Sequence, residues 1–276
     1  MATKTIVLAH GIFRFDKLSA TFREEFDTDV GLRYFDGIGD YLRRHDFDVH
    51  EPDVSFAGSL STRASNLKDR LTAIVGGGAT SIHIIGHSMG GLDARKVLAE
   101  NPELAAHVTC LTTIGTPHHG TTSADRALRV GGRVLISALS RLIDLEGFAD
   151  LTTAACLRFN QSCRDAEVHN SVRYRAVAAV EDLQRTIAIL QPTWVQLQHD
   201  EGDSDGIVSR TSQQWDATLL ASNGNAKQVE QLSFPIPADH LNEVGLWDPA
   251  ELIGGVTAAT FRERVCDFYL QLARTA

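Results

Sequence analysis

The chain has 276 residues, of which 43% are hydrophobic and 22% are charged, so it can bury a sizeable core as one domain spanning residues 1–276. Its formal net charge is −9 and its Lys and Arg residues form no basic cluster, which excludes nucleic acid as an expected partner. No stretch reaches the roughly 18 to 20 apolar residues that a membrane-spanning helix needs, so we also expect no transmembrane segment.

The N-terminus and the cysteines bear on the compartment. Met1 is followed almost directly by the β-rich run Thr5 to Ala9, without the apolar region and cleavage site of a signal peptide. This pattern predicts a cytoplasmic protein, or one secreted without a standard signal peptide. The four cysteines lack C-x-x-C spacing, so they predict buried thiols rather than a zinc site or a disulfide framework.

Short β-rich runs alternate with longer, helix-compatible segments. The predicted strands are Thr5 to Ala9, Phe47 to His50, Ser81 to Ile85, Val108 to Ile114, Val172 to Val180, Thr193 to Leu197 and Val229 to Phe234. One amphipathic helix is predicted around Leu67 and Leu71, and another closes the chain from Thr257 to Leu272. The alternation predicts an α/β protein with a mostly parallel central sheet flanked by helices.

The segment from Thr121 to Phe159 breaks this alternation and is interpreted as an insertion. Within it, Val134, Leu135, Leu139 and Leu142 form an apolar stripe between glycines. A helix of this kind between glycine hinges predicts a lid over residues 121–159. A helix that is permanently packed on the core has the same amphipathic pattern, so both interpretations stay open.

The pentapeptide Gly86-His87-Ser88-Met89-Gly90 follows a predicted strand and precedes a helix-compatible stretch. This context predicts a nucleophile elbow, in which a sharp strand-to-helix turn exposes the serine hydroxyl. The backbone N–H of Met89 would then lie beside Ser88, where an oxyanion develops during acyl transfer. The motif alone also occurs by chance in glycine-rich loops, but here its context agrees.

A nucleophilic serine needs a histidine base and a carboxylate that orients the imidazole, in the chain order Ser, acid, His. Asp205 and His240 follow Ser88 in that order, and both are predicted in loops after strands. Asp203 is the main rival for the acid. The acidic run around it also fits a solvated turn or a weak cation site.

Other residues near these motifs have weaker assignments. His118 and His119 come too early in the chain for the base and are interpreted as loop or supporting residues, while His87 is interpreted as a packing residue. The loop after the first strand contains His10-Gly11-Ile12. We predict that the N–H of Ile12 is the second oxyanion donor and that His10 anchors the loop by hydrogen bonding.

Five motifs together carry a family resemblance. They are Ile6-Val7-Leu8-Ala9-His10-Gly11-Ile12, Ile85-Gly86-His87-Ser88-Met89-Gly90-Gly91, Thr116-Pro117-His118-His119-Gly120, Asp205-Gly206-Ile207-Val208 and Asp239-His240-Leu241-Asn242-Glu243-Val244. In this order they resemble the bacterial triacylglycerol lipases of the Pseudomonas, Burkholderia and Proteus type. The resemblance implies an α/β-hydrolase fold, a lid over an apolar acyl groove, and a triad of Ser88, Asp205 and His240.

The chain also departs from that family. The secreted members resemble one another in having a signal peptide, a disulfide and a calcium ion held partly by an aspartate two residues beyond the catalytic histidine. Here that position is Asn242, which offers a neutral oxygen but no charge, and no cysteine lies near Asp205. We therefore predict no cofactor and no metal-binding residues. The calcium site that the resemblance implies is in doubt, because Asn242 weakens it.

Together these observations predict a serine carboxylic ester hydrolase that forms a covalent acyl-enzyme. The first choice is a triacylglycerol lipase that acts in lipid degradation. Its expected partners are a lipid or other apolar ester and, transiently, a lipid–water interface, and we expect a monomer. A short-chain carboxylesterase, or another acyl hydrolase or transferase, would share the same triad. A binding protein with an idle α/β-hydrolase fold is the alternative of a different class.

Overall fold

The computed structural model describes residues 4–13, 33–56, 58–129, 145–247, 252 and 256–276. Most of the predicted lid helix, from Val134 to Leu142, lies outside these described residues. Both ends of the predicted insertion lie within them.

A seven-stranded sheet forms the centre of the described structure, in the order β2-β1-β3-β4-β5-β7-β6. Its strands are β1 (Thr5–Ala9), β2 (Asp48–His50), β3 (Ile82–His87), β4 (Val108–Ile114), β5 (Arg173–Ala178), β6 (Thr218–Leu220) and β7 (Ala226–Ser233). All neighbours pair in parallel except β6 and β7, which are antiparallel. The predicted, mostly parallel sheet is confirmed.

Helices connect the strands. Their bounds are Ile38–Arg43, Leu60–Gly76, Met89–Glu100, Pro102–Ala105, Thr122–Arg129, Leu145–Ala149, Thr153–His169, Gln191–Asp200, Arg210–Gln213 and Ala258–Arg274, with a 3-10 helix at Asn242–Val244. The predicted amphipathic helix around Leu67 and the closing helix are both present. None of the helices in the described part of the chain is long and apolar enough to cross a membrane.

The sheet separates two hydrophobic layers. Side chains of a strand alternate between its faces, and accordingly Ile6 and Leu8 lie in one core cluster while Val7 and Ala9 lie in the other. Both faces are covered, which explains why the inner strands read as almost continuous apolar runs. All four cysteines are buried and unpaired, as predicted.

The prediction of a strand from Thr193 to Leu197 is wrong, because these residues lie in the helix Gln191–Asp200. Thr193, Gln196 and Leu197 are its buried residues, a spacing of three and one that follows the helical period. Pro192 in the first turn is well suited to starting a helix. Asp205 therefore follows a helix rather than a strand. Its loop still reaches the carboxyl edge of the sheet, where the N–H of Glu181, just beyond β5, donates to the carbonyl of Ser204 at 3.1 Å.

Candidate active site

Ser88 occupies the turn between β3 and the helix Met89–Glu100, as the elbow motif predicts. Its backbone has φ 55° and ψ −133°, a conformation that is strained for any residue with a Cβ. The turn is held from both sides, because the N–H of Ser88 donates to the carbonyl of Ile114 at 2.9 Å and the hydroxyl of Thr116 donates to the carbonyl of Ser88 at 2.8 Å. The surrounding structure thus keeps the serine in an unfavourable conformation that aims its side chain out of the strand.

The glycines on either side of Ser88 are required by close packing. A Cβ on Gly90 would lie 2.2 Å from the carbonyl oxygen of Ala9, and a Cβ on Gly86 would lie 2.8 Å from the Cα of Gly91. Both contacts are with backbone atoms, which cannot rotate away. The G-x-S-x-G pattern therefore reflects the tight fit of the helix Met89–Glu100, the elbow helix, against the end of β1 at Gly90 and against β3 at Gly86.

Asp205 and His240 form a buried pair. Asp205 Oδ2 lies 2.7 Å from His240 Nδ1, and neither side chain is exposed. The other carboxylate oxygen of Asp205 accepts the N–H groups of Ile207 and Val208 at 2.8 and 2.7 Å. These bonds fix the carboxylate, which in turn holds the proton of a neutral imidazole on Nδ1 and leaves the lone pair on Nε2.

His240 Nε2, the atom that a serine base would use, is buried and has no hydrogen-bond partner among the described residues. Ser88 follows directly after His87, whose ring lies 4.6 Å from the ring of His240. The structure thus joins two members of the predicted triad and records no hydrogen bond between His240 and Ser88. The role of Ser88 as the third member stays a prediction.

The neighbouring acids are engaged elsewhere. The Asp203 side chain is 61% exposed and its carboxylate lies 3.6 Å from Arg210. Glu201 accepts hydrogen bonds from Thr122, and Asp200 pairs with Arg126 at 2.7 Å. This geometry favours Asp205 over Asp203 as the acid, and the side chains of the run bind separate protein partners rather than converging on one point.

The loop after β1 lies against the nucleophile. A Cβ on Gly11 would lie 2.7 Å from Ser88 Cβ and 3.1 Å from its Oγ, so only glycine fits there. Met89 is the first residue of its helix, so its N–H has no acceptor within the helix and is available to a substrate. Ile12, the other predicted oxyanion donor, comes directly after Gly11. These placements are those expected of an oxyanion hole.

Two buried side chains hold this loop from behind. His10 Nδ1 bonds to the carbonyl of Gly11 at 2.8 Å, and the N–H of Val54 donates to His10 Nε2 at 3.2 Å, so His10 anchors the loop as predicted. Burial, with help from the Arg63 charge, lowers the pKa of His10 to about 3, which keeps the ring neutral. Arg63 itself donates to the carbonyl of His10 at 2.7 Å and to Asp93 at 2.6 Å. Arg63 thus links the loop after β1 to the helix Met89–Glu100, which carries Asp93.

Sequence reasoning missed a second polar cluster beside His240, formed by Glu243, His87 and Tyr34. His87 does more than pack, because Glu243 Oε2 lies 2.9 Å from its Nε2 and Tyr34 Oη lies 2.7 Å from its Nδ1. Glu243 stands in the motif that follows His240, and this proximity was the one available signal. Nothing in the pattern pointed to Tyr34.

Ligand atoms of His87, His240 and Glu243 lie within 4.8 Å of one another, close enough to be considered for a metal ion. However, Glu243 already bonds to His87, and His240 Nδ1 already bonds to Asp205. The bonded atoms are thus taken up within the protein, while His240 Nε2 and Glu243 Oε1 have no hydrogen-bond partner among the described residues. His87, His240 and Glu243 therefore fit a hydrogen-bonded network better than a metal centre.

Solved structures similar to this one confirm the fold. A metagenomic carboxyl esterase superposes with a TM-score of 0.68 at 19% identity, over 99% of this chain and 76% of that one. Lipase 1 of Pelosinus fermentans gives a TM-score of 0.66 at 17% identity over 99% of both chains. The sheet and its flanking helices, together with these neighbours, make this an α/β-hydrolase fold.

Sequence comparison finds related lipases over part of the chain. A triacylglycerol lipase of Vibrio cholerae is 34% identical over 178 residues, which is 56% of this chain and 53% of that protein. A triacylglycerol lipase of Burkholderia plantarii is 36% identical over 126 residues, 44% of this chain and 31% of that protein. The matched region thus spans about half the length of the first relative and less of the second.

The family described as the PGAP1-like alpha/beta domain matches residues 40–200. This stretch contains Ser88 and its elbow, three of the central strands and the insertion. Since the match covers more than half of the sequence, the chain belongs to the family of PGAP1-like alpha/beta domains.

Proposed function

We propose that this protein is a serine carboxylic ester hydrolase that cleaves acyl esters through a covalent acyl-enzyme. The buried Asp205–His240 pair carries the proposal, because it leaves His240 Nε2 without a hydrogen-bond partner among the described residues. The His240 ring lies 4.6 Å from the ring of His87, the residue directly before the serine of the elbow. The related proteins named triacylglycerol lipase support the same reaction. A buried, oriented imidazole without a reacting partner is otherwise difficult to explain in a binding protein.

In the proposed reaction, Ser88 Oγ attacks the carbonyl carbon of the ester while His240 Nε2 accepts the hydroxyl proton. Asp205 stabilises the imidazolium that forms. The tetrahedral intermediate collapses when His240 returns this proton to the leaving alcohol, and the acyl group stays on Ser88. A water molecule then attacks the acyl-enzyme with the same assistance and releases the carboxylic acid.

The N–H groups of Ile12 and Met89 are the proposed donors to the oxyanion. Gly11 lies close enough to Ser88 for the next N–H to reach an oxygen on the attacked carbon. Removing one such donor costs about 3 to 4 kcal/mol of transition-state stabilisation in comparable sites. Because these donors are backbone groups, their effect depends on how firmly the loop after β1 is held.

We propose a lipase of the Pseudomonas, Burkholderia and Proteus type as the finer assignment. Triacylglycerol lipases of Pseudomonas fragi and Burkholderia plantarii, 34% and 36% identical over their matched parts, support it. A short-chain carboxylesterase with the same triad is the alternative. One structural neighbour, the metagenomic carboxyl esterase, shares the fold and makes this alternative relevant.

We further propose that the insertion at 121–159 covers the site. At its described end, a Cβ on Gly147 would lie 3.4 Å from Ile12 and 3.7 Å from the Met89 sulfur, so this part of the chain touches both proposed oxyanion residues. Leu128 and Leu157, also in the insertion, are 53% and 58% exposed. These apolar side chains support transient contact with a lipid–water interface.

The test of the proposed function is an ester series from butyrate to palmitate, with Ser88→Ala as the blank. We expect hydrolysis that persists or rises toward the long acyl chains and falls to the background in the variant. Activity confined to butyrate would instead identify a short-chain esterase. Equal rates with and without Ser88 would contradict the proposed nucleophile.

We also propose that the enzyme needs no structural calcium. Asn242 Oδ1 accepts the N–H of Asp239 at 2.8 Å, and Asn242 Nδ2 donates to the carbonyl of Leu246 at 3.0 Å. The Asp239 carboxylate accepts the N–H groups of Ile187, Leu241 and Asn242. The side chains of this loop are thus satisfied by backbone groups and offer poor ligands for a hard cation.

Removal of divalent ions should accordingly leave the enzyme unchanged. After dialysis against EDTA, we expect the melting temperature and the hydrolysis rate to match those of the untreated protein. Added calcium should restore nothing, because nothing is lost. A fall in melting temperature with EDTA that calcium reverses would show that a calcium site exists.

A further inference from the structure

We propose that Glu243, His87 and Tyr34 form a row of positioning residues that holds the backbone at Gly11 and Ile12 in place beside Ser88. The inference rests on the proposed function, since positioning matters only if an oxyanion forms there. It assigns a role to three buried side chains that the triad and the oxyanion donors do not use.

Hydrogen bonds run continuously along the row. Glu243 Oε2 lies 2.9 Å from His87 Nε2, and Tyr34 Oη lies 2.7 Å from His87 Nδ1. At the far end, burial raises the pKa of Tyr34 and a backbone hydrogen bond from Gly11 opposes that rise, which connects the phenol to the loop after β1. The row therefore begins next to His240, in the segment that carries Glu243, and ends on the loop after β1, which carries the proposed oxyanion donor Ile12.

Each member comes from a different segment of the site. Glu243 lies in the 3-10 helix that follows His240, His87 is the last residue of β3 and precedes Ser88, and Tyr34 lies before the helix Ile38–Arg43. The rings of His87 and His240 lie 4.6 Å apart, so the row runs alongside the Asp205–His240 pair. A shift in any one segment would be transmitted to the others through these contacts.

Two glycines leave the space that the row occupies. A Cβ on Gly115, which has φ +57°, would lie 2.1 Å from Glu243 Oε2. A Cβ on Gly11 would lie 2.6 Å from Tyr34 Oη. Both ends of the row are thus enclosed by backbone, so its side chains fix the position of that backbone rather than filling a loose cavity.

The protonation states of Glu243 and His87 determine which group donates each hydrogen bond of the row. Burial, with the nearby Asp205 and Asp239 charges, raises the pKa of Glu243 well above its usual value, and burial lowers the pKa of His87 well below its usual value. Both groups are then neutral. A protonated Glu243 donates to His87 Nε2, and His87 Nδ1–H donates to Tyr34 Oη. In this arrangement Glu243 acts as a donor, so an amide could take its place.

Tyr34→Phe tests the row, with Tyr174→Phe as the matched control. Tyr174 is also buried, and its hydroxyl accepts a hydrogen bond from Asn170 at 2.7 Å. We expect the two variants to lose similar, small amounts of melting temperature. Only Tyr34→Phe should lose kcat, by about 10- to 100-fold with little change in KM, because small misplacements of catalytic groups cost rates of this order.

The labelling rate with a fluorophosphonate gives a readout that is independent of the ester, since the phosphoryl oxygen of the reagent occupies the oxyanion position. Tyr34→Phe should slow labelling of Ser88 about as much as it lowers kcat. Normal labelling and normal kcat in Tyr34→Phe would overturn the inference while leaving the proposed function intact. If the wild-type protein were neither labelled nor active, the proposed function itself would fail.

A pair of variants at Glu243 tests the donor role. Glu243→Gln keeps a donor for His87 and should retain kcat within about threefold, whereas Glu243→Ala removes it and should lose at least about tenfold. Equal losses in both variants would overturn the donor role, as would wild-type rates in Glu243→Ala. The comparison at equal folded fraction separates positioning from general stability.

Discussion

Replacing Asp205 with asparagine is expected to lower kcat for ester hydrolysis by at least about 10³-fold while the protein stays folded. Asparagine has nearly the same shape, so its oxygen can still accept the N–H groups of Ile207 and Val208. Its amide would instead present an N–H to His240 Nδ1, which forces the imidazole proton onto Nε2. The histidine could then no longer accept the proton of Ser88, as is known for this exchange in a serine–histidine–aspartate triad.

Asp203→Asn is the control for this prediction. Asp203 lies two residues earlier in the same turn, is 61% exposed and is 3.6 Å from Arg210, so its loss should change kcat by less than about twofold. Steady-state rates of the two variants on one ester, with melting temperatures, make the comparison. A large loss in Asp203→Asn with normal activity in Asp205→Asn would transfer the acid role to Asp203.

The sequence predicted the parts of the site that depend on local pattern. The elbow requires small residues on both sides of Ser88, and the clashes that a Cβ would cause at Gly86 and Gly90 show why. Asp205 and His240 stand in short loop motifs, Asp205 after the helix Gln191–Asp200 and His240 after β7. Such motifs are visible because a few neighbouring residues determine the backbone conformation.

The parts that escaped prediction depend on contacts between distant segments. Tyr34 and His87 are far apart in sequence, and Glu243 lies 156 residues beyond His87, so no local pattern links them. The strand prediction for Thr193 to Leu197 is wrong because the apolar run is short, and short runs fit both the strand period and the helix period. Burial of Thr193, Gln196 and Leu197, which decided the outcome, arises only from tertiary packing.

The site combines residues of local motifs with residues that only the folded chain brings close. The reacting groups come from local motifs, and His10, His87 and Glu243 stand in the same motifs, whereas Arg63 and Tyr34, which also hold the site, come from elsewhere in the chain. Arg63 donates to the carbonyl of His10, directly behind the proposed oxyanion loop. How precisely the reacting groups are placed therefore depends on the packed core around them.

Gly90→Ala is expected to destabilise the protein by roughly 3 kcal/mol, the upper end of the usual cost of overpacking a core. The added methyl would lie 2.2 Å from the carbonyl oxygen of Ala9 and 2.7 Å from that of His10, so the end of β1 must move. For a domain of about this size the loss corresponds to a fall in melting temperature of roughly 6 to 12 °C. Activity should fall further than stability, because the displaced backbone leads into Gly11 and Ile12.

Gly76→Ala provides the matched control. Gly76 ends the helix Leu60–Gly76, and a Cβ there would meet nothing within 4 Å. Alanine at this position should leave activity unchanged and raise stability by about 0.4 to 1 kcal/mol, since it restricts the unfolded chain. Thermal unfolding and ester hydrolysis of both variants make the test. If Gly90→Ala matched the wild type in both, the elbow helix could not lie against β1 as closely as the structure shows, and the explanation of the glycine pattern would be lost.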